Sequence, residues 1–166
     1  MKKEALPLES FAENLRTVFE YWRSLGGEDL KCAWSQFDLL AIPKVLLPST
    51  MIVDVGVTME ENRYRYWGSQ MTRIYGSDMT GKSPYDIVPT GIAEAVYVGH
   101  SDVIKNKQWV AYTFEFIRAS GVEHRQSTLM MPLSDDENTV NQIVNVVDLS
   151  QSATSDKKGL LSGFPT

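Results

Sequence analysis

The chain has 166 residues, a length that fits one domain with short additions at its ends and needs no metal or disulfide staple. Its formal net charge of −5 excludes a general nucleic-acid binder; the local groups Arg63/Arg65/Arg73 and Lys105/Lys107 are too small to supply a phosphate-binding face. Cys32 is the only cysteine, which excludes an internal disulfide and a cysteine metal cluster and fits a reducing compartment.

The N-terminus carries Lys2 and Lys3, but Glu4, Glu9 and Glu13 break any apolar run that would make a signal peptide. No stretch is long enough to span a bilayer, so the expectation is a cytoplasmic protein without membrane contact. The first element runs over residues 8–25. Leu8, Phe11, Leu15, Val18, Trp22 and Leu25 recur at alternating spacings of three and four, the pattern of a packed amphipathic helix or a short coiled-coil seam. Ser10 and Glu13 could form a capping box, and Gly26-Gly27 ends the helix. That stripe packs either on the chain's own core or across a homodimer; the same six residues are the candidate dimer interface.

Residues 28–48 read as irregular, with a short helix near 34–40 and prolines at 43 and 48. Alternation over 51–57 and again over 63–67, with Glu60-Glu61-Asn62 between, predicts a hairpin. Residues 69–75 suit a short helix closed by Gly76, Ser83-Pro84 opens a further helical turn, and 91–107 form a longer helix. Three strands follow, at 109–119, 124–133 and 140–149, with turns at Gly121 and at Asp135-Asp136-Glu137-Asn138. The order implies an α+β domain: a five-stranded, mainly antiparallel sheet with helices on one face, plus the N-terminal amphipathic helix. Residues 1–44 form a helix and cap, 45–149 the domain proper, and 150–166 a polar tail without periodicity.

Three segments carry a resemblance: Leu46-Leu47-Pro48, Arg63-Tyr64-Arg65-Tyr66-Trp67-Gly68-Ser69, and the run from Tyr75 through Gly76, Asp78, Thr80, Gly81 and Lys82 to Ser83. Together with Met130-Met131-Pro132-Leu133 they resemble the bacterial single-domain PAS family, with its R-Y-R-x-x-G-[ST] strand end and G-x-D-x-T-G-[KR] turn. The resemblance covers about residues 30–149. It implies a PAS fold with a small pocket between sheet and helices, and a signalling context; it implies no reaction, and no particular cofactor.

Gly76 to Ser83 also fits G-x-x-x-x-G-K-[ST], but a phosphate-binding loop needs a buried strand before its first glycine, and 69–75 reads as helix. His100 lies on the long helix where haem-binding PAS sensors carry an axial histidine, which makes a haem or small-molecule sensor the second reading. The ordinary alternative is a buried histidine with a hydrogen bond. His124 and His100 are too far apart in sequence pattern to make a metal site. Cys32 precedes the first core strand, and the flavin-binding asparagine-cysteine-arginine motif is absent. Ser101-Asp102 beside His100 point apart on one helix and form no triad.

The aromatic set Tyr64, Tyr66, Trp67, Tyr75, Trp109, Tyr112, Phe114 and Phe116 either lines a ligand cavity or packs a core. The candidate ligand-binding residues are Tyr64, Tyr66, Tyr75, His100, Trp109 and Tyr112. A third reading, a small cone-shaped hydratase or isomerase, needs an inward carboxylate–histidine pair that the sequence does not supply. The leading expectation is a non-enzymatic, stand-alone sensory domain that works through a signalling partner or a homodimer, with a small molecule as gate. No output domain is attached within these 166 residues, so output is expected through contact with another protein.

Overall fold

Apolar residues from the strands point to both sides of one sheet, and each side is covered by a different part of the chain. The structure is a computed structural model and describes residues 1–118 and 120–152. Six strands, β1 (Lys2–Ala5), β2 (Thr50–Asp54), β3 (Arg63–Trp67), β4 (Val110–Ile117), β5 (Glu123–Leu133) and β6 (Gln142–Asp148), form one antiparallel sheet in the order β1-β4-β5-β6-β2-β3. Among the described residues three α-helices accompany it: α1 (Glu13–Ser24), α2 (Ser69–Tyr75) and α3 (Thr90–Asn106). The α+β sheet expected from the sequence is present. It gains β1, a sixth strand at the β4 edge with register Lys2↔Glu115 to Ala5↔Tyr112. Charged, largely exposed residues suit an edge strand that discourages further pairing, but they carry no apolar alternation by which to find it.

On one face lie α2, α3 and the segment between them, over Met51, Val53, Tyr64, Phe114, Met130, Ile143 and Val147. On the other lies α1 with residues 32–46, over Ile52, Ala111, Leu129, Met131, Leu133, Val144 and Val146. The stripe of the first helix is thus occupied within the chain: Leu15, Val18 and Trp22 are wholly buried and Phe11 nearly so, while Leu8 and Leu25 are half-buried at the margin. In the single chain, the six residues of the candidate dimer interface thus pack toward its own sheet. A seam made of these six residues would require α1 to leave the sheet. The helix is also shorter than the periodicity suggests. Leu8–Ser10 make a single 3-10 turn and Phe11 is extended, so Leu8 and Phe11 reach the core from outside α1. Ala12 is the N-cap, and no side chain caps the helix there, which replaces the Ser10/Glu13 box.

Trp22 ties the two layers together. Its Nε1 donates to the Pro132 carbonyl at 3.0 Å in the buried interior. Pairing with β4 ends at Met130, so Pro132 sits where β5 has only β6 beside it, a place that tolerates a residue without an N–H. The two glycines after α1 serve different ends. Gly26 takes the left-handed conformation (φ 83°) that turns the chain out of the helix, while Gly27 lies against the Trp22 indole. A Cβ at Gly27 would stand 2.1 Å from Trp22 Cε2. Gly27→Ala is therefore expected to cost roughly 1–3 kcal/mol through overpacking, read as a lower denaturant midpoint with an unchanged slope.

Other expectations fall close to their places. The helix over 69–75 is α2, closed by Gly76, and Pro84–Asp86 form a 3-10 turn capped by the Ser83 hydroxyl on the Tyr85 N–H. Residues 34–40 make two 3-10 turns, Trp34–Gln36 and Leu39–Ala41, in place of one helix. The segment matching a phosphate-binding loop follows a helix and precedes a 3-10 turn, so it lacks the strand-loop-helix geometry of such a site. Of the expected polar tail, Ser150 is held by Asp148 and the Ser152 hydroxyl donates to the Arg125 carbonyl; residues 153–166 lie outside the described residues. No helix among the described residues is long and apolar enough to cross a membrane.

Candidate functional site

Between the inner face of the sheet and α3 lies a cavity with about 20 Å³ open to the centre of a water-sized sphere. That is room for one or two waters. Met51, Tyr64, Phe114, Gln126, Thr128, Met130 and Asn145 line it from the strands, Tyr75 from the end of α2, and Ile87, Ile92 and Val96 from the far side. No lining residue carries a charge. The polar groups arrive by strand parity: His124, Gln126, Thr128 and Met130 alternate inward along β5, and Asn145 stands between Ile143 and Val147 on β6.

Most of these polar groups satisfy one another. Gln126 Oε1 accepts from His124 Nε2 at 2.9 Å and from the Tyr75 hydroxyl at 3.3 Å, and Gln126 Nε2 donates to Thr128 Oγ1 at 3.2 Å. Two atoms on the lining residues are left over: Tyr64 Oη and Asn145 Oδ1 are buried without a hydrogen-bond partner. Their residues are 1% and 2% exposed, so bulk water does not serve them. Burial pushes the Tyr64 and Tyr75 hydroxyls well above the usual phenol range, and both are neutral donors at physiological pH.

Of the candidate ligand residues, Tyr64 and Tyr75 are on the cavity wall. His100 lies behind it, wholly buried, with Nε2 3.1 Å from Asn145 Nδ2 and Nδ1 3.2 Å from the Tyr85 hydroxyl. Burial lowers its pKa to about 3, so the ring is neutral. An axial haem ligand needs a free nitrogen facing a haem-sized space, whereas both His100 nitrogens here lie within hydrogen-bond distance of neighbouring side chains. The other three candidates are not on the wall. The β2–β3 register shifts between Ile52 and Val53, so Tyr64 opposes Val53 on the inner face while Tyr66 opposes Ile52 on the outer one, where its hydroxyl donates to the Leu47 carbonyl. Trp109 packs on the outer face against Phe11 and Phe19, at ring separations of 5.7 and 5.0 Å. Tyr112 is on the inner face of β4 but off the cavity wall; its hydroxyl donates to Asp102 Oδ2 at 3.1 Å and the Lys3 ammonium covers its ring. Burial and then that carboxylate push its pKa up to about 12.

Gln126, Thr128 and Asn145 were not singled out from the sequence, although a polar residue with inward parity in an apolar strand is a signal that could have found them. Cys32 is buried on the outer side and its thiol pKa rises to about 11 through desolvation, away from reactive-thiol chemistry. Among the described residues no group of three His, Cys, Asp or Glu side chains is placed to hold a metal ion. The inward carboxylate–histidine pair of the hydratase or isomerase reading is not on the cavity wall. On the outer side of α3 an open recess of about 380 Å³ is lined by Tyr85, Thr90, Ala93, Glu94, Tyr97 and Val98.

No family model matches the chain, and no curated protein matches it. Solved structures do. An RNA-binding light-oxygen-voltage receptor aligns over 97% of this chain and 41% of its own, with a TM-score of 0.52 at 10% identity. The Vibrio cholera VqmA–ligand–DNA complex aligns over 70% of this chain and 54% of its own, with a TM-score of 0.50 at 13% identity. A PAS domain from Colwellia psychrerythraea aligns over 60% and 84%, with a TM-score of 0.44 at 11% identity. The chain spans about half the length of the VqmA chain and less than half of the receptor. Identities this low speak to the fold alone, and that fold is PAS-like.

Proposed function

We propose that this chain is a sensory or regulatory domain whose interior cavity takes a small uncharged molecule and passes its state to a protein partner. The observation that carries this reading is the pair of buried, unpartnered polar atoms on the cavity wall, Tyr64 Oη and Asn145 Oδ1. A buried polar group without a partner costs about 1–3 kcal/mol, so a molecule that satisfies both recovers that energy on binding. With no charge on the wall, an ionic ligand would be desolvated without compensation. Met51 and Met130, on the wall, have the flexible side chains that let a pocket widen around a guest. Among the proteins with a similar fold, one was solved with a ligand and DNA, and another is a light receptor that binds RNA. Those properties belong to them. They support sensing as the use to which this fold is put. For output, Val88, Tyr97 and Val98 are exposed apolar residues at or near the outer recess, whereas the α1 stripe is already buried. For a homodimer we propose surfaces other than that stripe.

The reading is checked by titrating small uncharged molecules that join a donor to an acceptor, 2-pyrrolidinone first, and following the Met51 and Met130 methyl resonances. Saturable shifts are expected, with affinity about tenfold weaker in Tyr64→Phe and binding lost in Val96→Phe, which fills the cavity. Methyls that respond to no member of the panel in the folded protein would contradict it.

A further inference from the structure

His100 sits in an unbroken chain of side chains that runs from the cavity to the outer recess. Asn145 lines the cavity and touches His100 Nε2; His100 Nδ1 touches Tyr85; Tyr85 lines the recess and packs edge-on against Tyr97, their centroids 4.9 Å apart. The far end is pinned. The Gly56 N–H donates to Asn62 Oδ1 at 2.9 Å, which obliges Asn62 Nδ2 to donate to the Tyr85 hydroxyl at 2.8 Å. A neutral imidazole has one donor and one acceptor nitrogen, so the near end has two self-consistent arrangements.

In the first, Asn145 Nδ2 donates to His100 Nε2, Nδ1–H donates to Tyr85, and the Tyr85 O–H turns to Met59 Sδ, 3.9 Å away. The Asn145 carbonyl is then the end without a partner. In the second, the Asn145 amide is rotated by half a turn, Nε2–H donates to its oxygen, and the Tyr85 O–H donates to Nδ1. The amide then shows N–H groups to the cavity. No other heavy atom need move. One ring proton moves from Nδ1 to Nε2, exchanged with solvent during transient local opening of the site, and the ring is neutral before and after.

We propose that Asn145, His100 and Tyr85 form a two-state hydrogen-bond relay, in which the end of the Asn145 amide facing the cavity sets the direction of the Tyr85 hydroxyl at the outer recess. A molecule that donates to the cavity side holds the first state; one that accepts holds the second. One buried hydrogen bond made or left unmade changes the ratio of the states roughly ten- to a hundredfold. The relay rests on the ligand reading above only for its input; its wiring is testable with the cavity unliganded.

The test is NMR of protein with ¹⁵N-labelled histidine and ¹³C-methyl methionine, without added ligand. Asn145→Asp, in its ionised form, leaves only acceptors at the near end. It is expected to move the His100 ring to a protonated Nε2 and, through Tyr85, to shift the Met59 methyl and the Tyr97 ring. In Asn145→Asp/Tyr85→Phe the His100 change persists while the Met59 and Tyr97 shifts vanish. Asn145→Ser serves as a second near-end variant if the Asp variant does not fold. A His100 ring indifferent to residue 145, or Met59 and Tyr97 shifts that survive Tyr85→Phe, overturns the relay. Failure to find any cavity ligand would bear on the proposed function and leave this result standing.

Discussion

Trp22→Ala is expected to lower the unfolding free energy by about 3–5 kcal/mol while leaving the native mass of the protein unchanged. The indole is wholly buried between α1 and the sheet, and its ring lies against Phe19 at 5.7 Å. Removing it forfeits that packing, opens a cavity and leaves the Pro132 carbonyl without its donor. Chemical denaturation reads the first effect and sedimentation the second. If the variant kept its stability but changed from a larger species to a smaller one, α1 would be a seam between copies and the account of the outer layer would fail. Leu15→Asp, which places a carboxylate at a wholly buried position of the same layer, is expected to act in the same direction and more severely.

The second large effect is a loss of stability in acid centred on His100. The unfolded chain protonates this histidine at its ordinary value of 6.5, whereas burial holds the folded ring neutral down to about 3. Between those values the unfolded state binds more protons, so stability rises with pH there. His100 contributes no penalty above pH 6.5, and its penalty grows as pH falls toward 3. The slope due to this one group approaches 1.4 kcal/mol per pH unit at most, or about tenfold in the folding constant for each unit. His100→Gln keeps a neutral hydrogen-bonding side chain and removes the titration. The difference in unfolding free energy between the two proteins should therefore change steadily across pH 6.5 to 3. A constant difference across that window would show that His100 is not held neutral by burial.

How far the sequence carried can be judged from particular residues. The a/d stripe of α1 and the α2 cap at Gly76 were legible because period and capping chemistry are local. β1 was not, because Lys2–Ala5 owe their strand conformation to the free edge of β4 and not to their own pattern. Placement in the site depended on parity. Trp109 and Tyr112 lie an odd number of residues apart, so they face opposite ways along a regular strand, and that much could have been read. Tyr64 and Tyr66 have the same parity, and only the register shift opposite Ile52 and Val53 separates them; irregularities of this kind are set by the partner strand. Asn145 was hidden for a different reason. A single asparagine in a buried strand acquires meaning only when its neighbours show that one of its amide ends has no partner.

The proposed use of the cavity between the sheet and α3 is as a site for a small uncharged molecule. It is tested most directly by dialysing the purified protein to equilibrium against a metabolite extract of its native cells and identifying by mass spectrometry what the protein retains. An uncharged compound is expected to be enriched by the native protein and not by Val96→Phe, with enrichment reduced in Tyr64→Phe. Equal retention of every component by the native and cavity-filled proteins would contradict it.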